Sequence, residues 1–429
     1  MTLKCLSEGS QGPIVGYLQD VLRRAEYLNT QPTYAFDEQT KTAVQQFQKQ
    51  LGLEPDGIVG AETWEAFLPY LTGNFTYTVK PGNTLSGIAK KAGITLRSLL
   101  AANPLINPDE LYPGQKIVVP FLQYIVPTNL QYSSDIMHLN ISALRTRYPF
   151  LQTGTAGYSV LGKSIPYIRI GTGKNVVFYN ASHHANEWIT SLLLVKFIEM
   201  FCYAYVNNTP INGFDLKQIF EQSSIYLIPM VNPDGVDLVT GALDDTSSAY
   251  RYALQIGKKY PDIPFPSGWK ANIAGTDLNL NYPAGWQKAK ETKEKAGFFA
   301  PAPRDYVGPY PFSEPESRAV AQFTASYLPS LILAYHAQGE IIYWKYADYD
   351  PEGSYEIAQE FSRLSGYTVE TTPEESGNAG YKDWFIQQYN RPGYTIEVGK
   401  GQSPLPLDQF SKIYHDNIGI LLSAATATL

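Results

Sequence analysis

Cysteine is nearly absent from this chain of 429 residues, with only Cys5 and Cys202 present. The two fall in stretches of different character, so a structural disulfide is not expected and two reduced thiols are the default. Long apolar runs are missing as well. The stretch from Ser191 to Phe201 is interrupted by Lys196 and Glu199, and nothing reaches the roughly 18 apolar residues that a membrane span requires. The start, Met1-Thr2-Leu3-Lys4-Cys5, has no apolar secretory core, which gives the expectation of a chain that begins in the cytoplasm. Positive charge is in deficit. Lys and Arg total 33 against 40 Asp and Glu, a net charge of −7, which argues against nucleic acid or an anionic membrane as the main partner. What remains is ordinary for a globular chain, 44% hydrophobic and 17% charged, at a length that suggests about two to four domains.

The first 73 residues have helical apolar spacing. Ile14, Val15, Leu18, Val21 and Leu22 mark one helix, Val44, Phe47 and Leu51 a second, and Trp64, Phe67 and Leu68 follow a turn at Asp56-Gly57 to complete a small core. Residues 76–121 read differently: a short strand at Tyr77-Thr78-Val79, a helix capped by Asn83, a second helix from Leu96 to Asn103, and a closing strand at Gly114–Pro120. A Pro127-bearing linker leads into residues 130–429. There, short apolar runs alternate with helical stretches: Val176–Tyr179, Ile225–Ile228, Leu331–Ala334 and Tyr394–Ile396. Such runs imply an α/β sheet buried on both faces, and in such sheets sites gather at strand ends. Ser313-Glu314-Pro315-Glu316 reads as a capping box for a helix to about Leu328. Lys288–Lys295 reads as a solvated charge run.

Chemistry concentrates in His184-Ala185-Asn186-Glu187-Trp188, Tyr335-His336-Ala337 and Tyr394-Thr395-Ile396-Glu397. Two His and one Glu make a ligand set for a zinc ion that keeps a fourth position open for water. A second carboxylate, Glu397, is available to move protons. His184 and Glu187 are spaced so that one turn can aim both at a single ion, with His336 arriving from a distant segment. By itself the H-x-x-E pattern is weak, since a solvated or core histidine produces it too, and His183 is a rival because it shares a helical face with Glu187. The rival for His336 is a buried imidazole bonded to backbone, and for Glu397 a solvent-facing carboxylate at a strand end.

The neighbours add specificity. Leu161-Gly162-Lys163-Ser164, the His184–Trp188 segment, Asn232-Pro233-Asp234-Gly235, Gly275-Thr276-Asp277-Leu278-Asn279-Leu280-Asn281, Pro311–Glu316 and the segments around His336 and Glu397 occur in an order that resembles the zinc carboxypeptidase family over roughly residues 130–425. The resemblance implies a mixed sheet flanked by helices, zinc as cofactor, His184, Glu187 and His336 as ligands, and Glu397 as the general base that deprotonates water and then protonates the leaving amine. It places Asp277 where the family's aspartate orients the first zinc histidine, although a turn-forming aspartate is the plain alternative. Phe47–Leu53 ahead of the Asp56-Gly57 turn resembles the peptidoglycan-binding domain of wall hydrolases, and the βααβ pattern of 76–121 resembles a LysM domain, which recognises N-acetylglucosamine-containing glycans. A helical pro-segment and a small α+β spacer are the alternatives for these two modules.

Departures from the family pattern narrow the expectation. Where carboxypeptidases grip a terminal carboxylate with an Asn-Arg pair, this chain has Asn279 followed by Leu280. An Arg from another loop, Arg304 or Arg391, is the alternative source of such a clamp. Lys270 stands where the family has its carbonyl-polarising Arg, supplying a point charge and not a fork. Glu375 falls near the place of a mobile pocket Tyr, and Lys382 at a pocket position that tunes side-chain preference. A wall-directed hydrolase without the clamp looks like the γ-D-glutamyl-diamino acid endopeptidases of spore-forming bacteria, which cut the amide between D-Glu and meso-diaminopimelate or Lys in peptidoglycan stem peptides. Asn279 and Lys382 are then the substrate-binding candidates, and the chain is expected to act at the wall or spore after release. The runner-up is a zinc carboxypeptidase that trims wall peptides or proteins. A catalytically dead wall-binding protein is the reading from another class, and the intact ligand and base positions count against it.

Overall fold

The apolar stripes of the first residues close on one another as three helices: α1 (Pro13–Arg24), α2 (Glu38–Leu51) and α3 (Ala61–Thr72). The structure, a computed structural model, describes residues 3–121, 124–373 and 376–427. Val15, Leu18, Val21, Leu22, Val44, Phe47 and Phe67 are all buried, and Phe47 stacks on Phe67 with ring centroids 3.8 Å apart. Asp37 caps α2 through the Thr40 amide. Leu51 and Leu68, expected in this core, lie at the surface. Leu68 follows the inward-facing Phe67 and is rotated from it by about 100°, while Leu51 is the last residue before the left-handed Gly52 that ends α2.

Strands β1 (Asn74–Thr78) and β2 (Lys116–Pro120) pair antiparallel around α4 (Leu85–Ala92) and α5 (Leu96–Ala101), giving the βααβ order. Thr84, not Asn83, caps α4, its hydroxyl accepting from the Gly87 amide. Asn83 instead closes the preceding turn, its side-chain carbonyl taking the Lys80 amide and the Tyr77 hydroxyl. These two modules form one compact unit that also takes in residues 135–151 and 199–209. Within it Arg147 donates to the Gly73 carbonyl at 2.8 Å, and the Glu199 carboxylate accepts the Ile125 amide at 2.6 Å.

The second unit is built on an eight-stranded sheet. Its strands are β3 (Gln152–Tyr158), β4 (Ser164–Ile170), β5 (Asn175–Ala181), β6 (Ser223–Ile228), β7 (Leu331–Ala337), β8 (Ile341–Tyr343), β9 (Thr368–Glu370) and β10 (Gly393–Val398), in the order β3-β4-β6-β5-β7-β10-β8-β9. The four apolar runs expected as strands are the central parallel ones, β6, β5, β7 and β10. Every residue of β6 and β7 is buried, as a strand covered on both faces requires. Antiparallel pairs occur at β3–β4, β4–β6 and β10–β8, so the sheet is mixed.

Two local expectations change. The helix after Ser313 runs from Pro315 to Tyr327 with Glu314 at its N-cap and no side-chain cap bond. Pro315 at the first helical position starts it one residue too late for Ser313 to serve as cap, so no capping box forms. The segment Ala185–Asn207 is long and apolar enough to cross a membrane by length and composition, although broken into a short turn and a helix. It is mostly buried within the fold, in the manner of a core helix.

Candidate active site

Three neighbouring parallel strands deliver the chemistry at their carboxyl ends. The chain leaves β5 at Ala181 and turns at Ser182, which has φ +52° and a hydroxyl bonded to those of Thr190 and Ser191. The two adjacent histidines that follow point to opposite sides, as successive residues of an extended backbone do. The His183 ring is fully buried, its Nε2 2.9 Å from the Tyr282 hydroxyl and its plane stacked on Tyr381. His184 goes the other way, its Nδ1 3.0 Å from Glu187 Oε1. Glu187 sits on the short 3-10 turn Ala185–Glu187 that follows. His336 is near the end of β7, and its Nδ1 lies 3.1 Å from Glu187 Oε2 and 3.2 Å from His184 Nδ1. The same oxygen, Glu187 Oε2, also accepts the Ala337 amide.

Surrounding loops fix this arrangement. Asn232 donates from its side-chain amide to the carbonyls of His183 and Ala271, and Ala185 N donates to the Lys270 carbonyl. The Gly235 backbone lies so close that a Cβ there would stand 2.7 Å from the Ala271 oxygen and 2.8 Å from the Ala185 Cβ. The Leu161–Ser164 motif also has a structural task, with the Leu161 amide and Lys163 ammonium holding Asp234. Asp277 makes contacts that match both alternatives, the turn and the histidine. One oxygen caps the turn Leu278–Leu280 and lies 3.2 Å from His184 Nε2, while the other accepts the Asp305 amide.

The donor set fits a divalent cation. Ligand atoms bonded at about 2.0–2.1 Å to a tetrahedral ion stand roughly 3.3 Å apart; the two imidazole nitrogens are 3.2 Å apart, and each is within 3.1 Å of one oxygen of Glu187, His184 of Oε1 and His336 of Oε2. His184, Glu187 and His336 are the metal-competent cluster among the described residues, and His183 is outside it. The electrostatics agree. Burial alone would raise the Glu187 pKa, but His184 and Lys270 hold it well below the usual carboxylate range. Burial acts to lower the His184 pKa, yet Glu187 and Asp277 outweigh it and push the ring up to about 9. Glu397 is register partner of His336 across β10 and β7. Burial first, then the Glu187 charge, push its carboxyl up to about 8 against the opposing pull of Lys270 and His184. A cation among these carboxylates opposes that rise.

A cavity of about 210 Å³ opens over the cluster, lined among others by His184, Lys270, Asn279, Leu280, Lys382 and Glu397. The Lys270 ammonium is 3.1 Å from Glu187 Oε1. Asn279 accepts the Tyr381 amide with its side-chain oxygen. Leu280 packs with Ala289, Val307 and Ala379, an aliphatic wall beside the asparagine. The ammonium of Lys382 is fully engaged by Asp383, the Lys345 carbonyl and the Thr372 hydroxyl. Glu375 lies outside the described residues. Arg391 is tied to the carbonyls of Leu328 and Pro329 and does not line this cavity. Arg304, Lys293 and Asp305 do line it. The last two escaped sequence reasoning because Lys293 is embedded in a charge run and Asp305 has no neighbouring motif.

Residues 137–419 match the zinc carboxypeptidase family. The chain belongs to that family. A relative from Lysinibacillus sphaericus, gamma-D-glutamyl-L-diamino acid endopeptidase 1, is 42% identical over 294 residues, covering 68% of this chain and 72% of the relative. The uncharacterized protein YqgT of Bacillus subtilis (strain 168) is 36% identical over 373 residues, 81% of this chain and 97% of its own. Among solved structures, thrombin activatable fibrinolysis inhibitor superposes with a TM-score of 0.54 at 18% identity over 70% of this chain and 77% of its own. Carboxypeptidase A from Helicoverpa armigera gives 0.52 at 19% over 80% and 86%. These two speak to the fold. Residues 11–67 match the peptidoglycan binding domain family and 77–120 the LysM domain family. The chain is therefore a zinc metallopeptidase with wall-binding modules ahead of its catalytic sheet.

Proposed function

We propose that this zinc peptidase hydrolyses the γ-D-glutamyl–diamino acid amide of peptidoglycan stem peptides, with meso-diaminopimelate or Lys as the diamino acid. The observation that carries the reading is Leu280 beside Asn279 in the site cavity: an aliphatic side chain stands where a carboxypeptidase needs a forked cation. The 42% identity to a relative named for that activity supports it.

In this reading His184, Glu187 and His336 hold the zinc and Asp277 keeps the His184 ring in one tautomer and orientation. Zinc, when bound, supplies a Lewis acid that acidifies water and polarises a carbonyl. Glu397 accepts the proton of the attacking water. As the bond between the γ-carboxyl carbon and nitrogen breaks, it returns that proton to the leaving amine, so a carboxyl product and a free amine result. The Lys270 ammonium, held at the cluster by Glu187, stabilises negative charge developing on the carbonyl oxygen. Asn279 and Lys382 shape the pocket, the lysine as half of a neutral pair with Asp383. In this reading the N-terminal modules hold the enzyme on the glycan and it works at the wall or spore; the linkage of the two modules multiplies two weak contacts because the second is intramolecular.

Mass spectrometry of a digest of L-Ala-γ-D-Glu-meso-diaminopimelate-D-Ala tests the reading. The expected products are L-Ala-D-Glu and diaminopimelate-D-Ala. Loss of D-Ala alone would contradict it.

A further inference from the structure

The cavity over the zinc cluster is lined by four cations, Lys270, Lys293, Arg304 and Lys382. Three are occupied by protein groups. Lys382 is paired with Asp383, Lys270 with Glu187, and Lys293 with Asp305 Oδ1 at 2.6 Å. Arg304 is different. Its Nε donates to Asp305 Oδ2 at 2.6 Å, while Nη1 and Nη2 have no protein partner among the described residues, and 44% of the side chain is exposed. Asp305 thus answers two cations with one carboxylate, and the Nη edge of Arg304 is the part of that group left facing the cavity.

The backbone that carries Arg304 is built into the site. The Pro303 carbonyl accepts the amides of Lys270 and Ala271, the Tyr306 carbonyl accepts the Asp277 amide, and Ala302 N donates to the Gly275 carbonyl. Asp305 N donates to the same Asp277 carboxylate that faces His184. Gly275 has φ +86°, and a Cβ there would stand 2.9 Å from Pro301. The guanidinium is therefore anchored at its Nε edge, fixed relative to the zinc ligands, and open at the edge that makes forked contacts with carboxylates.

We propose that Arg304 is the specificity residue that receives a substrate carboxylate as a bidentate pair, supplying from a different loop the grip that Leu280 cannot. The identity of the substrate rests on the proposed function, whereas the clamp itself rests on the geometry above. In a stem peptide, the α-carboxylate of the γ-linked D-Glu and the carboxylate of the diamino acid offer the same chemistry.

The test uses the full-length, zinc-loaded enzyme and its Arg304→Gln and Arg304→Lys variants on three stem peptides: free, amidated at the D-Glu α-carboxylate, and amidated at the diamino acid. Zinc content is measured on each protein, and binding of the free peptide to Glu397→Gln enzyme with and without Arg304→Gln is followed by calorimetry. One amidation is expected to cost the wild type roughly tenfold to a hundredfold in kcat/KM, and identifies the carboxylate. Arg304→Gln is expected to lose a similar factor on the free peptide, to bind it correspondingly more weakly, and no longer to distinguish that amide from the acid. Arg304→Lys should recover part of the loss, and zinc content should not move. If Arg304→Gln is as active as wild type, or loses the same factor on all three peptides, the clamp is refuted. If the wild type instead trims C-terminal residues and leaves the γ-amide intact, the proposed function fails, and the clamp is then judged by the same comparison with the terminal carboxylate amidated.

Discussion

His336 and Glu397 are register partners on adjacent strands, β7 and β10, yet only the first belongs to the group that could hold a metal. His336→Ala is accordingly expected to lose zinc by metal analysis, whereas Glu397→Gln keeps it and loses roughly a hundredfold to ten-thousandfold in turnover. Full zinc occupancy in His184→Ala would contradict the ligand set. A second residue-scale expectation concerns Glu316, which is fully buried and accepts from Asn272 and the Val160 amide. Burial pushes its carboxyl from 4.5 up to about 7. A carboxyl with a raised folded-state pKa stabilises the fold fully below its ordinary value and loses that contribution as pH rises through the folded value. Stability should therefore fall between about pH 4.5 and 7 by up to about 3 kcal/mol. Glu316→Gln should reduce this slope in denaturant titrations, leaving the parts due to Asp234 and Glu397, which are also raised by burial. An unchanged slope would show that Glu316 is not its source. At this scale the sequence indicated His184, Glu187, His336, Glu397 and Asp277 as candidates, because ligand chemistry and motif order constrain them. The family resemblance selected His184 over His183; that His183 is buried against Tyr282 and Tyr381 is a long-range packing outcome that no residue pattern announces.

Elements were legible where burial alone decides them and less so where a single cap does. The apolar runs at β5, β6, β7 and β10 could be read directly, since a strand covered on both faces has no polar alternation to hide it. Which of Asn83 and Thr84 caps α4, and whether Ser313 caps its helix, turned on a one-residue offset that both sequences tolerate. The Asn232–Gly235 turn shows what an element does for the site: it pins the His183 and Ala271 carbonyls together and leaves no room for a side chain at Gly235. Gly235→Ala should lower stability by roughly 1–3 kcal/mol, as overpacking does, and weaken zinc retention during dialysis against a chelator. Wild-type retention and melting temperature in that variant would mean the turn is not a support for the ligands.

For the whole molecule, the sequence distinguished the wall modules from the peptidase by their different periodicities, three helices and then βααβ, before the α/β sheet. It did not reveal that residues 135–151 and 199–209 join the compact unit of the modules, because that association depends on long-range contacts such as Arg147 with Gly73. Full-length Glu397→Gln protein is expected to co-sediment with purified sacculi, and N-acetylglucosamine oligomers should release it where free stem peptide does not. Protein that stays in the supernatant at low and moderate salt would contradict glycan binding by this chain. The central claim is that the site is organised for an internal γ-amide and not for a terminal carboxylate. The most direct measurement is the ratio of kcat/KM on a γ-D-glutamyl-diaminopimelate stem peptide to that on blocked dipeptides ending in Phe or Lys, in the wild type and in Leu280→Arg. The account predicts a wild-type ratio well above one, on the order of tenfold to a hundredfold for each missing charge-assisted bond, and a fall in that ratio when the arginine is introduced. Equal efficiency of the wild type on both substrate classes would contradict it.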